Sequence, residues 1–205
     1  MVTEVVRVDP VAPDERVLAD AARILRAGGL VAFPTETFYG LGAAALDPRA
    51  ARRVFQVKGR PVSMPLLVLV DSREMVTRVA AAIPERARAL MDRHWPGALT
   101  LVLHAAPGVP ADVTAGTGTV GVRLPAHGVA RALVAALGAP VTAPSANPTG
   151  AAPPTTAAAV LARFGDTLDL VLDGGPTPGG APSTVVDVTV DPPRVIRQGA
   201  VTVSL

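Results

Sequence analysis

The chain has 205 residues, 49% of them apolar and 18% charged, with a formal net charge of +2. That is long enough to bury one sizeable core, short for two full domains, and too apolar for a disordered chain. The absence of cysteine excludes a disulfide framework, a zinc–thiolate site and a cysteine nucleophile, and makes a cytoplasmic setting the default expectation.

Residues 1–14 carry Glu4, Arg7, Asp9 and Asp14 with no apolar stretch, so no signal peptide is expected. No run approaches the ~18 apolar residues of a membrane span, and no membrane partner is expected. The isoelectric point near 9.9 looks basic. At a charge of +2, however, it predicts neither nucleic-acid binding nor its avoidance. Eighteen of the nineteen basic residues are arginine, and the one lysine is Lys58. Either genomic bias left one survivor, or this spot needs a compact ammonium instead of a planar fork.

Strand and helix alternate along the chain. Residues 5–8 read as a strand and 15–27 as an amphipathic helix, with Val17, Leu18, Ala21, Ile24 and Leu25 on one face. Asp14 is the candidate cap, and Gly28-Gly29 ends that helix. A short strand at 30–33 runs into Pro34-Thr35-Glu36-Thr37. A helix at 49–57 follows Asp47-Pro48, then a strand at 66–70 and helical stretches at 73–79 and 85–94. Strands at 99–103 and 120–124 precede a helix at 129–137 and a brief strand at 141–143. A helix at 157–164 leads to strands at 170–172, 184–190 and 194–197. The expectation is one α/β domain over 1–205, a single twisted mixed β-sheet with flanking helices. The Gly/Pro-rich stretch 174–182 reads as a mobile surface loop and not as a linker.

Four polar segments follow or interrupt apolar strands, where open α/β sheets bind ligands. Pro34-Thr35-Glu36-Thr37-Phe38-Tyr39-Gly40-Leu41-Gly42 sets two hydroxyls and a carboxylate after a buried strand. Helix capping is the plainer reading, but the Thr-x-x-Glu spacing of a capping box is absent, which favours a hydroxyl-lined pocket floor. In Lys58-Gly59-Arg60-Pro61, two cations either converge on a polyphosphate or decorate a helix C-terminus. In Thr119-Val120-Gly121-Val122-Arg123-Leu124-Pro125, an arginine within an apolar strand is paired, faces a ligand cavity, or sits on an edge in water. In Thr142-Ala143-Pro144-Ser145-Ala146-Asn147-Pro148, Ser145 and Asn147 either offer a hydroxyl and an amide to one ligand or form a turn. The sequence lacks a P-loop, a strand-borne Gly-x-Gly-x-x-Gly and a nucleophile elbow. His94, His104 and His127 have no metal-ligand spacing and read as surface or capping residues.

These segments, with Pro65-Leu66, Trp95-Pro96-Gly97, Ser-Thr-Val-Val-Asp at 183–187 and a final Arg197-x-Gly-Ala, occur in the order seen in the YrdC/TsaC family. The chain resembles that family over about residues 18–200. The resemblance implies a twisted sheet around a deep, basic concave cleft, and a threonylcarbamoyl-AMP synthase. Such enzymes condense L-threonine, bicarbonate and ATP to threonylcarbamoyl-AMP and pyrophosphate. Partner transferase proteins then modify the tRNA adenosine beside the anticodon. By motif, the resemblance places ATP on Lys58, Arg60, Thr119, Ser145, Asn147 and Arg197, with Lys58, Arg60, Ser145 and Asn147 at the chemistry. It places threonine on Thr35, Arg123, Ala143 (through its backbone) and Ser183. Mg²⁺ is expected with ATP, held mostly by phosphate oxygens and water, because no carboxylate cluster is evident.

Many relatives carry a histidine where this chain has Leu67-Val68-Leu69-Val70, and longer relatives append a second domain. The chain therefore resembles the short form, any gating falling to loops such as 174–182. The alternative from a different class is a non-catalytic protein binding double-stranded RNA or tRNA in the same concavity. Only 3% of residues are aromatic, which disfavours base stacking and leaves salt-sensitive backbone contact. Relatives that handle carbamoyl-adenylate during hydrogenase maturation add cysteine-rich zinc motifs, which this chain lacks.

Overall fold

In the computed structural model, which describes residues 2–205, local signals act where the sequence places them. Helix α1 (Glu15–Arg26) begins at Asp14, whose side chain accepts from the Arg16 amide at 2.8 Å. Its buried face is Leu18, Ala21, Ala22 and Leu25. Helix α2 (Pro48–Lys58) is capped by Asp47 with proline in its first turn. It ends in a Schellman motif: Gly59 at φ +56° donates to Gln56 O, and the Arg60 amide donates to Phe55 O at 3.0 Å. The remaining helices are α3 (Glu85–His94), α4 (Ala111–Thr114), α5 (Gly128–Leu137) and α6 (Ala157–Phe164). The helical stretch expected at 73–79 is a 3-10 turn over Glu74–Arg78. His127 supplies the N-cap of α5, its Nδ1 accepting from the Val129 amide.

The strands are β1 (Glu4–Arg7), β2 (Val31–Pro34), β3 (Tyr39–Gly42), β4 (Leu67–Leu69), β5 (Leu99–His104), β6 (Thr119–Arg123), β7 (Val141–Thr142), β8 (Leu170–Asp173), β9 (Thr184–Asp187) and β10 (Arg194–Arg197). Strand β3 and helix α4 were not expected from sequence. The glycines of Tyr-Gly-Leu-Gly read as a loop, yet β3 pairs antiparallel with β2 from Val31 opposite Gly42 to Pro34 opposite Tyr39. The glycines make room for the Phe33 ring. A Cβ on Gly42 would sit 2.8 Å from Phe33 Cε1, and one on Gly40 would sit 3.4 Å from the same ring.

The mixed α/β class stands, but the single expected sheet is divided in two. The four-stranded sheet runs β1-β8-β2-β3 and the six-stranded sheet β10-β9-β5-β6-β4-β7. The reason lies where β3 meets β7. Tyr39 faces Ala146, Leu41 faces Pro144, Ala43 faces Thr142 and Ala45 faces Pro140, each pair held by one backbone bond of 2.7–2.9 Å. Pro140 and Pro144 have no N–H to return the second bond. The Ala43 amide turns instead to Thr142 Oγ1 at 2.9 Å, and the Tyr39 amide to Pro154 O at 3.0 Å. The two sheets thus join along a half-bonded seam. Helices α1, α5 and α6 pack on the smaller sheet, and α4 lies against β6. One continuous apolar core runs from Val8 to Val188.

The 174–182 stretch, expected to be mobile, is tied down along its length, ending at Pro182 O, which accepts from the Ala200 amide at 2.8 Å. Tyr39 Oη donates to Gly175 O at 2.8 Å, the Thr177 amide to Thr155 O at 2.8 Å, and the Gly179 amide to Thr37 O at 2.8 Å.

Candidate functional site

Strand alternation lays the floor of a cavity of about 420 Å³, the size of a small-molecule site. In β5, Leu99, Leu101 and Leu103 turn into the core, so Thr100 and Val102 face the other way and line the cavity. Strand β6 lies antiparallel to β5 with Gly121 opposite Val102, which sets Thr119, Gly121 and Arg123 on the same face. Strand β9 runs parallel to β5 with Val185 opposite Thr100, and adds Val185. The walls come from the 35–40 hairpin, the 143–145 segment at the seam, Arg60 to Leu67, and Arg197 with Ile196.

Eight of the ten residues expected at the site line this cavity: Thr35, Arg60, Thr119, Arg123, Ala143, Ser145, Ser183 and Arg197. Lys58 and Asn147 do not. The Schellman turn at Gly59 separates the two cations that were expected to converge. Lys58, 3% exposed, points inward and donates from Nζ to Ser145 O at 2.5 Å and to Asn147 O. In return the Thr149 amide donates to Lys58 O at 2.8 Å. Lys58 therefore holds the 145–149 loop from behind the wall, while Arg60 faces the cavity with Nε and Nη2 donating to Met64 O and Pro65 O. Burial, then the neighbouring charge of Arg60, pushes the Lys58 pKa down to about 8. Asn147 donates from Nδ2 to Pro148 O and Ala151 O, and its Oδ1 is buried without a hydrogen-bond partner.

Thr35 is the turn-maker of the β2–β3 hairpin. Its hydroxyl donates to Phe38 O at 2.7 Å and accepts from the Thr37 and Phe38 amides. Glu36, between the two threonines, does not line the cavity. Its Oε2 lies 3.0 Å from Arg123 Nη2, so Arg123 is both ion-paired and cavity-facing. Burial pushes the Arg123 pKa down and the Glu36 charge opposes that shift. Arg197 donates from Nε and Nη2 to Ser183 O at 3.1 and 2.8 Å, and from Nη2 to Ser183 Oγ at 3.2 Å. Its pKa falls through burial and then through the charge of Arg123. Arg60, Arg123 and Arg197 thus share a cavity that no aspartate or glutamate among the described residues lines.

Thr100 was missed from sequence. Its Oγ1 lies 2.9 Å from Ser183 Oγ, a buried hydroxyl pair at the cavity floor. It is the one polar residue in Leu99-Thr100-Leu101-Val102-Leu103, and its alternation with three leucines was the available signal. Behind β9, Thr184 Oγ1 donates to Val201 O at 2.5 Å and accepts from the Gly199 and Val201 amides. This anchors the segment that carries Arg197. Among the described residues no group of three or more His, Cys, Asp or Glu side chains could hold a metal ion. No helix among them is long and apolar enough to cross a membrane.

The Sua5/yciO/yrdC family model, described as telomere recombination, matches residues 23–199. The threonylcarbamoyl-AMP synthase of Pyrococcus abyssi is 48% identical over 179 residues, covering 87% of this chain and 53% of its own length. That of Bacillus subtilis is 41% identical over 195 residues, 95% of this chain and 56% of the relative. The chain therefore spans about half the length of these curated relatives. The crystal structure of P. abyssi Sua5 complexed with L-threonine superposes with a TM-score of 0.93 at 45% identity, over 96% of this chain and 58% of the other.

Proposed function

The chain belongs to the Sua5/yciO/yrdC family, and from that premise we propose that it works as a threonylcarbamoyl-AMP synthase. The reaction condenses L-threonine, bicarbonate and ATP to threonylcarbamoyl-AMP and pyrophosphate. The observation that carries this reading is the convergence of Arg60, Arg123 and Arg197 on one cavity lined by threonine and serine hydroxyls and by no carboxylate. Such a cavity suits two anions at once, a polyphosphate and an amino-acid carboxylate.

The threonine amine adds to bicarbonate with loss of water, giving a carbamate. A carbamate oxygen attacks the α-phosphorus, the bond to the bridging oxygen breaks, and pyrophosphate leaves with the electron pair. A carbamate is already a nucleophile, so the protein's task is positioning and charge stabilisation. Arg60 and Arg197 face the phosphates, with Thr119 and Ser145 as hydroxyl partners. Lys58 acts one layer behind, fixing the Ser145–Asn147 loop and setting a positive charge beneath it. Asn147 shapes the same loop through its bonds to Pro148 O and Ala151 O. Arg123 takes the threonine carboxylate, with Thr35, Ser183 and the Ala143 backbone around the amino acid. Mg²⁺, expected with ATP, would be held largely by the phosphates and water, and would supply charge neutralisation there beside Arg60 and Arg197. The product passes to transferase proteins that act on tRNA.

The test is pyrophosphate release by the purified chain. Release that requires ATP, L-threonine and bicarbonate together is the expected outcome. Release indifferent to threonine, or no release alongside salt-sensitive RNA binding, would overturn the reading.

A further inference from the structure

We propose that Glu36 is the positioning residue that aims Arg123 into the amino-acid subsite. The inference rests on the reading above, in which Arg123 takes the carboxylate of L-threonine.

Arg123 is 3% exposed, the deepest of the three cavity arginines. Its backbone is fixed on the central strand β6, opposite Leu69, with its carbonyl accepting from the Val70 amide at 3.1 Å. No carbonyl or hydroxyl fixes its side chain, and Nε is buried with no hydrogen-bond partner. The one polar contact that holds it is Glu36 Oε2, 3.0 Å from Nη2. Both Glu36 oxygens are likewise buried without a hydrogen-bond partner, and Glu36 itself lies outside the cavity wall. Glu36 therefore stands behind Arg123 and not beside the ligand. Its own position is set by the Thr35-centred turn, which closes the hairpin through Phe38.

Two effects of removing the Glu36 charge oppose each other. A bare Arg123 attracts a carboxylate more strongly, but a long side chain without its counterion loses a fixed direction. For a zwitterionic amino acid, the Coulomb gain at the carboxylate is offset by the loss at the ammonium. Orientation then decides the sign, and binding weakens.

The experiment measures L-threonine binding by calorimetry to the wild-type chain, Glu36→Gln, Glu36→Asp and Arg123→Lys, with an ATP analogue as the second ligand. Glu36→Gln raises the threonine Kd at least tenfold and leaves the ATP-analogue Kd within twofold, and Glu36→Asp recovers part of the loss. In an Arg123→Lys background, adding Glu36→Gln changes the threonine Kd less than threefold. The Arg123 Nε–H resonance, assigned by its loss in Arg123→Lys, is slowly exchanging in the wild type and collapses in Glu36→Gln. Unchanged threonine binding, equal loss of both ligands, or an unaltered resonance would overturn the proposal. If Glu36→Gln fails to fold, Glu36→Asp carries the test: its shorter reach must raise the threonine Kd at least threefold. A wild-type chain that does not bind L-threonine sinks the substrate reading instead, while the resonance still decides the Glu36–Arg123 contact.

Discussion

Lys58 offers a direct test of how charge reaches the nucleotide. Burial, then the charge of Arg60, holds its pKa at about 8, below the 10.5 of a free lysine. That depression corresponds to about 3 kcal/mol disfavouring the ammonium in the free protein. In the unliganded fold the sign is fixed. Between pH 8 and 10.5 the unfolded chain binds the proton and the folded chain does not, so Lys58's contribution to stability rises with pH across that window. ATP acts on the other side of the balance. Under the proposed function, a triphosphate above the 145–149 loop would favour the ammonium and bind the protonated form. If the complex holds Lys58 protonated throughout, affinity follows the protonated fraction of the free protein, and falls roughly eightfold between pH 7.5 and pH 9. Calorimetric titration of an ATP analogue across that range measures it, and Lys58→Met should flatten the profile to within twofold. A flat wild-type profile would refute the reasoning, and so would an unchanged slope in Lys58→Met.

Two further outcomes follow from the geometry. Gly121 lies on the cavity floor, and a Cβ there meets only Thr100 Cγ2, at 3.3 Å. Gly121→Val should keep the fold, because valine suits a strand. Its methyls would fill ligand space, so pyrophosphate release should fall at least tenfold, and full activity would mean that the floor is not where substrates bind. Thr184→Val should cost about 1–3 kcal/mol in urea unfolding, because the Gly199 and Val201 amides lose their shared buried acceptor. The same variant should raise the KM for ATP as Arg197 loosens, whereas unchanged stability would refute the anchoring role.

The sequence by itself determined most element types and the order of the site motifs, because both are encoded locally. Asp14 and Asp47 cap, Gly59 terminates, Leu99-Thr100-Leu101-Val102-Leu103 alternates, and each acts within a few residues of itself. Only the tertiary structure decided three other things. Strand β3 was hidden because its glycines are needed by the Phe33 ring across the hairpin, a contact no local propensity carries. The sheet divided at β3–β7 because Pro140 and Pro144 withhold bonds from a partner about a hundred residues away. Lys58 and Arg60, two apart in the chain, parted because a left-handed glycine turns one cation into the 145–149 loop and leaves the other on the cavity wall. A ring across the hairpin set the first outcome, prolines about a hundred residues away the second, and the Ser145 and Asn147 carbonyls that receive Lys58 the third; a single chain read in order does not name such partners.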